Sequence, residues 1–283
     1  MSDLSVGLQA LYVHPLKSCA GIAVQSSLLV ETGLEFDRQW MLVDEQGDHV
    51  SQREMPRLAL VEPTLRLNDL RLRAPGMLAL HVSLDHVEQA CRAKVHGEAV
   101  AAYDMGALAA QWFSDYLGQS VRLVRFDPDQ PRWSDRRWCG AVAAQTGFAD
   151  AFALLVTSTA SLAELNRRLP QRGLAPVEMR RFRPNIVLDG IDAHDEDHVR
   201  ELHIDTPQGG VHLRLVKPCT RCSIPDVDPA TGEQGRGVLE TLADYRADPR
   251  VDGAVTFGMN AVIVAGVEQQ LAVGQTGRAT LAF

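Results

Sequence analysis

The sequence predicts an α+β chain, mostly β, built in two parts. Three observations carry that prediction. Short β-branched and aliphatic runs, broken by turn residues, fill roughly the first hundred positions. Few stretches repeat at helical spacing. A segment rich in Pro, Asp, Arg and Gly over residues 126–148 separates two sets of strands, so the parts are read as 1–125 and 126–283.

The elements follow in chain order. Leu8 to Val13 alternates and breaks at His14-Pro15. Ile22 to Val30 is strand-like and ends at Glu31-Thr32-Gly33. Arg38 to Val43 is a second strand, and Asp44 to Asp48 is a hairpin turn into His49 to Gln52. After further strands, Asp104 is placed to cap a helix whose apolar face is Leu108, Trp112, Phe113, Tyr116 and Leu117, stopped by Gly118. Trp112 is read as core. Ala151 to Thr157 is a buried strand, and Ser161-Leu162-Ala163-Glu164 has the spacing of a capping box that opens a helix to Leu169. Phe182 to Leu188 and Val211 to Val216 are strands, with an acidic surface stretch, Asp189 to Asp205, between them. A short helix fits Val238 to Tyr245, and strands return at Ala261 to Val264 and Gln270 to Leu281.

Composition excludes several classes. A chain of 283 residues with 46% hydrophobic and 23% charged residues is neither disordered nor fibrous. No apolar run approaches the roughly 20 residues that span a bilayer, so no membrane role is expected. A net charge of −8 argues against nucleic acid as a partner. The N-terminus lacks the pattern of a secretory leader, and five scattered cysteines suit a reducing compartment, so a cytoplasmic location is expected. Arginine is nevertheless clustered. Residues 167–183 hold six arginines against Glu178, and residues 122–137 hold five against three aspartates. Local cationic clusters on an acidic protein suit a small anionic ligand, or simply a solvated face.

The sharpest chemical feature is Lys217-Pro218-Cys219-Thr220-Arg221-Cys222. Taken alone, its cysteine pair has four readings: half of a zinc site, a dithiol redox centre, one thiolate offered to a metal held otherwise by a cofactor, or two packed cysteines. Zinc needs further ligands, yet Cys19, Cys91 and Cys139 are single and far apart. A thioredoxin-like pair needs a helix behind it, and here Pro225, Asp226, Asp228 and Pro229 follow.

Five segments in order then resemble the MOSC-domain proteins, in the branch of YcbX and the mitochondrial amidoxime-reducing components. They are His14-Pro15-Leu16-Lys17-Ser18-Cys19-Ala20-Gly21, Phe36-Asp37-Arg38-Gln39-Trp40, Phe148-Ala149-Asp150 through Asn166, Arg181-Phe182-Arg183-Pro184-Asn185, and Lys217 to Cys222 with Asp226 to Gly232. The resemblance implies an N-terminal β-barrel-like domain followed by a MOSC β-barrel with a few short helices, and a molybdenum cofactor between them. By motif position Cys222 is the metal ligand. Lys17, Ser18, Arg38, Arg183, Asn185, Thr220, Arg221 and Asn260 are cofactor contacts, and Asp192 is a carboxylate that could relay protons. Cys219 is then a packing residue or minor neighbour.

The implied activity is reduction of N-hydroxylated compounds: hydroxylamines, amidoximes or N-hydroxylated base analogues. The alternative is a non-catalytic carrier of the cofactor. The four-cysteine pattern of a plant-type iron–sulfur cluster is absent, so no such cluster is expected in this chain. Electrons would then come from a separate ferredoxin-, flavin- or cytochrome-type protein. Thr159 and Gln275 depart from the family pattern where an acid is expected, and both are read as surface changes.

Overall fold

The computed structural model describes residues 3–85 and 89–282. Met1 and Ser2, part of the N-terminus considered for a leader, and Phe283 lie outside the described residues. In chain order the first part contains β1 (Asp3–Val13), β2 (Ile22–Val24), β3 (Ser26–Val30), β4 (Gly33–Leu34), β5 (Trp40–Val43), β6 (Glu62–Leu65), β7 (Asp69–Arg73), β8 (Leu80–Ser83), β9 (Gln89–Val95), β10 (Glu98–Asp104), α1 (Ala107–Leu117) and β11 (Arg122–Phe126). The second contains α2 (Arg136–Cys139), β12 (Leu154–Ser158), α3 (Thr159–Arg168), β13 (Ile186–Asp189), β14 (Val199–Ile204), β15 (Val211–Thr220), α4 (Val238–Ala243), β16 (Ala247–Asp248), β17 (Ala254–Ala265), β18 (Gln270–Ala272) and β19 (Thr276–Leu281).

Seven strands close a barrel in the order β12-β13-β1-β19-β14-β15-β17, with β17 returning to β12. Only the β12–β13 pairing is parallel. Alternation along the strands sends Leu8, Val156, Leu188, Leu202, Leu213 and Ala279 into one buried core. Closure leaves the barrel no free edge in this ring. Beside it, β5-β11-β10-β9 form an antiparallel sheet and β6-β7-β8 a second. Trp40, Leu70, Phe113 and Leu123 fill a separate core under α1. Among the described residues no helix is long and apolar enough to cross a membrane.

The sheets do not follow the sequence boundary at 125/126. β1, the first strand of the chain, lies inside the barrel between β13 and β19. Its inward residues Val6, Leu8 and Leu11 complete the barrel core, and β3 pairs with β18. The segment over 126–148, read as a linker or a long surface crossing, is exposed along much of its length but anchored to the body at several points. Phe148 meets Phe126 edge to face with ring centroids 5.6 Å apart. Buried Arg132 donates to the carbonyls of Gly147 (3.0 Å), Ala149 (2.6 Å) and Asp150 (3.1 Å).

Several local readings shift. α1 starts after Gly106, and Asp104 accepts a hydrogen bond from the Gly106 amide (2.7 Å) instead of capping. The later start turns the face: Ala109, Trp112, Phe113, Tyr116 and Leu117 are buried, whereas Leu108 is exposed. Trp112 is core as expected, its indole N–H donating to the Leu78 carbonyl at 2.7 Å. Gly118 ends the helix in the left-handed conformation. The cap of α3 is Ser158, which accepts from the Ser161 amide, not Ser161 with Glu164. Ser161 is engaged instead with Glu196, so the acidic stretch is not all surface: Glu196 is fully buried between the Ser158 and Ser161 hydroxyls. His49 to Gln52 makes one bridge, Val43 to His49, and no strand.

Candidate functional site

A cavity of about 400 Å³ opens between the N-terminal sheets and one end of the barrel. Its size is that of a small-molecule or cofactor site. Lys17, Ser18, Arg38, His49, Arg53 and His96 line it from the first part. Asp150, Arg183, Asn185, Lys217, Cys219, Thr220, Arg221, Cys222 and Asn260 line it from the second.

The turn that carries Lys17 and Ser18 is fixed from both sides. Leu16 is fully buried and bridges to Trp40, and the Lys17 amide donates to the Trp40 carbonyl at 2.8 Å. Gly21 lies where a side chain would sit 2.5 Å from the His14 ring. The His14 amide donates to Asp37 Oδ1 (2.8 Å), tying this turn to the Arg38 segment. Arg183 follows a 3₁₀ turn over Met179–Phe182. Cys222 sits just past the end of β15, held by pairing of Thr220 with Thr256 and by the Arg221 amide bond to the Val255 carbonyl (2.8 Å).

Backbone strain concentrates here. Eight described non-glycine residues have positive φ, and four of them, Ser18 (69°), Arg38 (48°), His96 (51°) and Arg183 (57°), line this cavity. Such conformations cost of order 1 kcal/mol or more and gather at ligand sites.

The guanidinium of Arg38 is largely committed. Nη1 donates to Asp37 Oδ2 (2.5 Å) and Asn185 Oδ1 (3.0 Å), and Nη2 donates to the Arg183 carbonyl (3.0 Å). Asn185, buried, also accepts from the Leu155 amide (3.1 Å) and donates to the Tyr12 carbonyl (3.2 Å). It is a strut between β1, β12 and Arg38. Arg183 donates through Nη1 to the Cys19 carbonyl, while its Nη2 is buried without a partner. Burial lowers its pKa to about 10. Arg221 donates to Cys219 Sγ (3.0 Å) and the Phe182 carbonyl (2.9 Å), and its Nε is likewise buried and unpartnered. Asn260 donates to the Lys217 carbonyl at 3.2 Å. Among the described residues no group hydrogen-bonds the half-buried Cys222 thiol.

Lys17 is buried and paired with Asp150 across the cavity, and burial pulls its ammonium pKa down. The Asp150 side chain is 72% accessible, yet the surrounding wall still opposes its ionisation; the charges of Lys17 and His96 outweigh that and hold the carboxyl well below the usual range. Ser18 Oγ meets His49 Nε2 at 3.2 Å. Burial and the Lys17 charge keep His49 neutral, with a pKa of about 3.

Nine of the ten residues expected at the site line this one cavity; Asp192 does not. It is exposed beyond β13, its amide donating to Asp195 Oδ2 at 3.2 Å, so the structure gives it no access to the cavity. The reason is local: Gly190 turns the chain away, and buried Ile191 anchors the inner side of that turn. Thr159, bonded to Asp189 at 2.8 Å, and Gln275, in the turn after β18, lie outside it too. Sequence reasoning passed over His49, Arg53, His96, Asp150 and Lys217 as wall residues, and gave Cys219 only as a packing residue or minor neighbour. Asp150, Lys217 and Cys219 stood inside the motif segments, but His49, Arg53 and His96 carried no local signal. No group of three or more His, Cys, Asp or Glu gathers to hold a metal among the described residues, so the cysteine pair finds no further zinc ligands.

A barrel of seven strands with a thiol and six cationic side chains at the cavity on its end defines a class that sequence comparison then identifies. Residues 5–120 match the MOSC N-terminal beta barrel domain, and residues 143–277 match the MOSC domain. The chain belongs to the MOSC-domain family, in the branch of the mitochondrial amidoxime-reducing components. It is 38% identical over 250 residues to mitochondrial amidoxime-reducing component 1 of Mus musculus, covering 84% of this chain and 71% of that protein. Component 2 of Rattus norvegicus is 36% identical over 266 residues, 88% of this chain and 76% of its own length. A more distant match is the molybdenum cofactor sulfurase of Bos taurus, 29% identical over 83% of this chain but only 28% of the sulfurase.

Proposed function

We propose that this chain is a molybdenum-cofactor-dependent reductase of N-hydroxylated compounds, supplied with electrons by a separate protein. The observation that carries the reading is the pairing of a free thiol, Cys222, with an anion-seeking wall in one cavity of a chain whose relatives are named for amidoxime reduction. The cavity fits an anionic, sulfur-rich group. Six cationic side chains, Lys17, Arg38, Arg53, Arg183, Lys217 and Arg221, face one carboxylate, Asp150. Two buried guanidinium nitrogens, Arg183 Nη2 and Arg221 Nε, lack acceptors, and buried donors of this kind are normally satisfied.

When bound, the cofactor would supply two-electron redox chemistry at its metal. In this reading the Cys222 thiolate is the protein's ligand, a soft donor suited to the metal. Arg183 and Arg221 bind the anionic and polar parts through their open nitrogens. Lys17 adds a point charge and Ser18 a hydroxyl. Thr220 and Asn260 offer further polar contacts at the Cys222 side. Arg38 and Asn185 hold the Arg183 backbone in its left-handed position, so they act by positioning. The net reaction is R–NH–OH + 2e⁻ + 2H⁺ → R–NH₂ + H₂O. A ferredoxin-, flavin- or cytochrome-type carrier delivers the electrons.

The direct test is turnover of a hydroxylamine and an amidoxime with reduced dye, using protein loaded in a cofactor-competent host. Cys222→Ser is expected to keep its fold by circular dichroism and lose at least about 100-fold in rate, since even residues behind a ligand typically cost 10- to 100-fold. Full activity in that variant with normal metal content would sink the assignment. A loaded, reduced protein that no N-hydroxylated compound reoxidises would hand the site to the carrier reading.

A further inference from the structure

The reduction consumes two protons, and Asp192, the carboxylate expected to relay them, lies outside the cavity. Most of the remaining wall cannot take over. The arginines hold their protons throughout. His49 is kept neutral by burial and bonded to Ser18. Lys17 is buried inside the wall. His96 differs. It stands at the turn between β9 and β10, about half exposed, with Nε2 3.1 Å from Asp150 Oδ1. Lys17 meets the same oxygen. Among the described residues no hydrogen-bond donor meets Oδ2.

The pair is also held in place by a residue that otherwise has no evident task. Buried Arg132 donates to the Ala149 and Asp150 carbonyls (2.6 and 3.1 Å) and, through Nε, to Glu98 Oε2 at 2.9 Å. Glu98 opens β10, two residues after His96. One guanidinium therefore clamps the Asp150 loop to the hairpin that carries His96. The left-handed backbone of His96 (φ 51°), followed by Gly97 (φ 82°), sets the imidazole at the cavity rim.

We propose that His96 and Asp150 form the proton-entry pair of this cavity. The inference rests on the reductase reading for its reaction. The Asp150 carboxylate takes the Nε2 proton of imidazolium His96 as it releases one toward the substrate, so it is ionised between transfers, and His96 is reloaded from bulk water at its solvent side. Asp150 delivers the proton to the departing hydroxyl oxygen, which leaves as water. The cycle runs twice per turnover: one proton completes the departing water and the other goes to the nitrogen, which leaves as the amine. Histidine suits this task because its unperturbed titration lies near neutral pH, and positioned proton transfer contributes typically 10²- to 10⁴-fold. His96 acts through Asp150. The charged and titratable groups facing the pair are Lys17, His49, Arg53 and Arg183, with Arg132 behind the Asp150 backbone.

Two arms test this. In loaded enzyme, His96→Gly suits the positive φ and leaves space for a small base. The expected result is a fall in kcat of about 10- to 100-fold at pH 7.5 with little change in KM, and recovery of at least half of the loss in millimolar imidazole. A purely structural role would not respond to imidazole. In cofactor-free protein, ¹⁵N NMR at fixed pH is expected to show the His96 Nε2 resonance displaced in Asp150→Asn, because the carboxylate oxygen 3.1 Å from it is replaced. An unmoved Nε2 resonance, or a His96→Gly enzyme with wild-type kcat between pH 6 and 8.5, overturns the proposal. The NMR arm needs no turnover, so it decides whether His96 and Asp150 are coupled even if the reductase reading fails.

Discussion

The two walls of the cavity use similar side chains in opposite ways. On the N-terminal wall the polar groups are mostly engaged. Lys17 is paired with Asp150, Ser18 with His49, and Arg38 with Asp37, Asn185 and the Arg183 carbonyl. The MOSC wall keeps open groups: Arg183 Nη2, Arg221 Nε and the Cys222 thiol. The difference suits a first wall that shapes the cavity and a second that would bind under the proposed function. Ordering the first wall in advance lowers the cost of binding.

That contrast can be broken most forcefully at Arg183. Arg183→Ala removes an open donor and leaves the Cys19 carbonyl without its partner. Loss of at least about 10-fold in cofactor affinity is expected (a lost charge-assisted bond is worth about 1.5–3 kcal/mol), with about 1–3 kcal/mol of stability lost as well. Lys17→Ala should cost less affinity, since Lys17 must leave Asp150 to meet a ligand. Cofactor retention on gel filtration compares the two, and a larger loss from Lys17→Ala would reverse the roles of the walls.

A smaller effect is expected at Asp150. Its carboxyl pKa is lowered in the folded state by Lys17 and His96, against the opposing pull of desolvation. The stability it adds is therefore present above its unfolded value near pH 4 and is lost as pH falls through the lower folded value. Asp150→Asn should cost roughly 0.5–1 kcal/mol at pH 7, since the accessible carboxylate is screened by solvent. The gap in Tm from wild type should close below about pH 4. A gap that stayed constant down to pH 2.5 would show that the pair contributes no charge-dependent stability.

An effect of similar size is expected at His49. Burial lowers its folded pKa to about 3, so its folded form binds fewer protons than the unfolded chain as pH drops. Its stability is present above about pH 6.5 and is lost progressively on acidification toward the folded value. His49→Gln should therefore be less acid-sensitive than wild type, by about 1 kcal/mol at pH 5.5. Urea titrations at pH 7 and 5.5 measure it; equal losses in both proteins would remove His49 from the buried wall.

What the sequence made legible follows from range. The mostly β class, the two sets of strands, the buried Trp112 and the end of α1 at Gly118 are local signals of periodicity and turn chemistry. The cavity residues from Lys17 to Cys222 were legible because they stand in motif segments, and Asn260 by its family position alone. β1's place inside the barrel was not, because its partners β13 and β19 lie about 180 and 270 residues away and a strand does not encode its partner. His49, Arg53 and His96 come to the cavity from turns and loops whose position is set by sheet packing. Glu196 was misread as surface because an acidic run gives no sign that one member meets the hydroxyls of Ser158 and Ser161 at the start of α3. Asp192 was misplaced because family position fixed its place in the chain but not the direction of the turn after Gly190.

Under the proposed function both walls would enclose a molybdenum cofactor ligated by Cys222. That is tested most directly by measuring molybdenum and pterin per chain in protein from a cofactor-competent host, beside Cys222→Ala. The account predicts near-stoichiometric metal in wild type and a large loss in the variant, with both folded. Equal metal in the two, or none in either while a control enzyme from the same host is loaded, would contradict it.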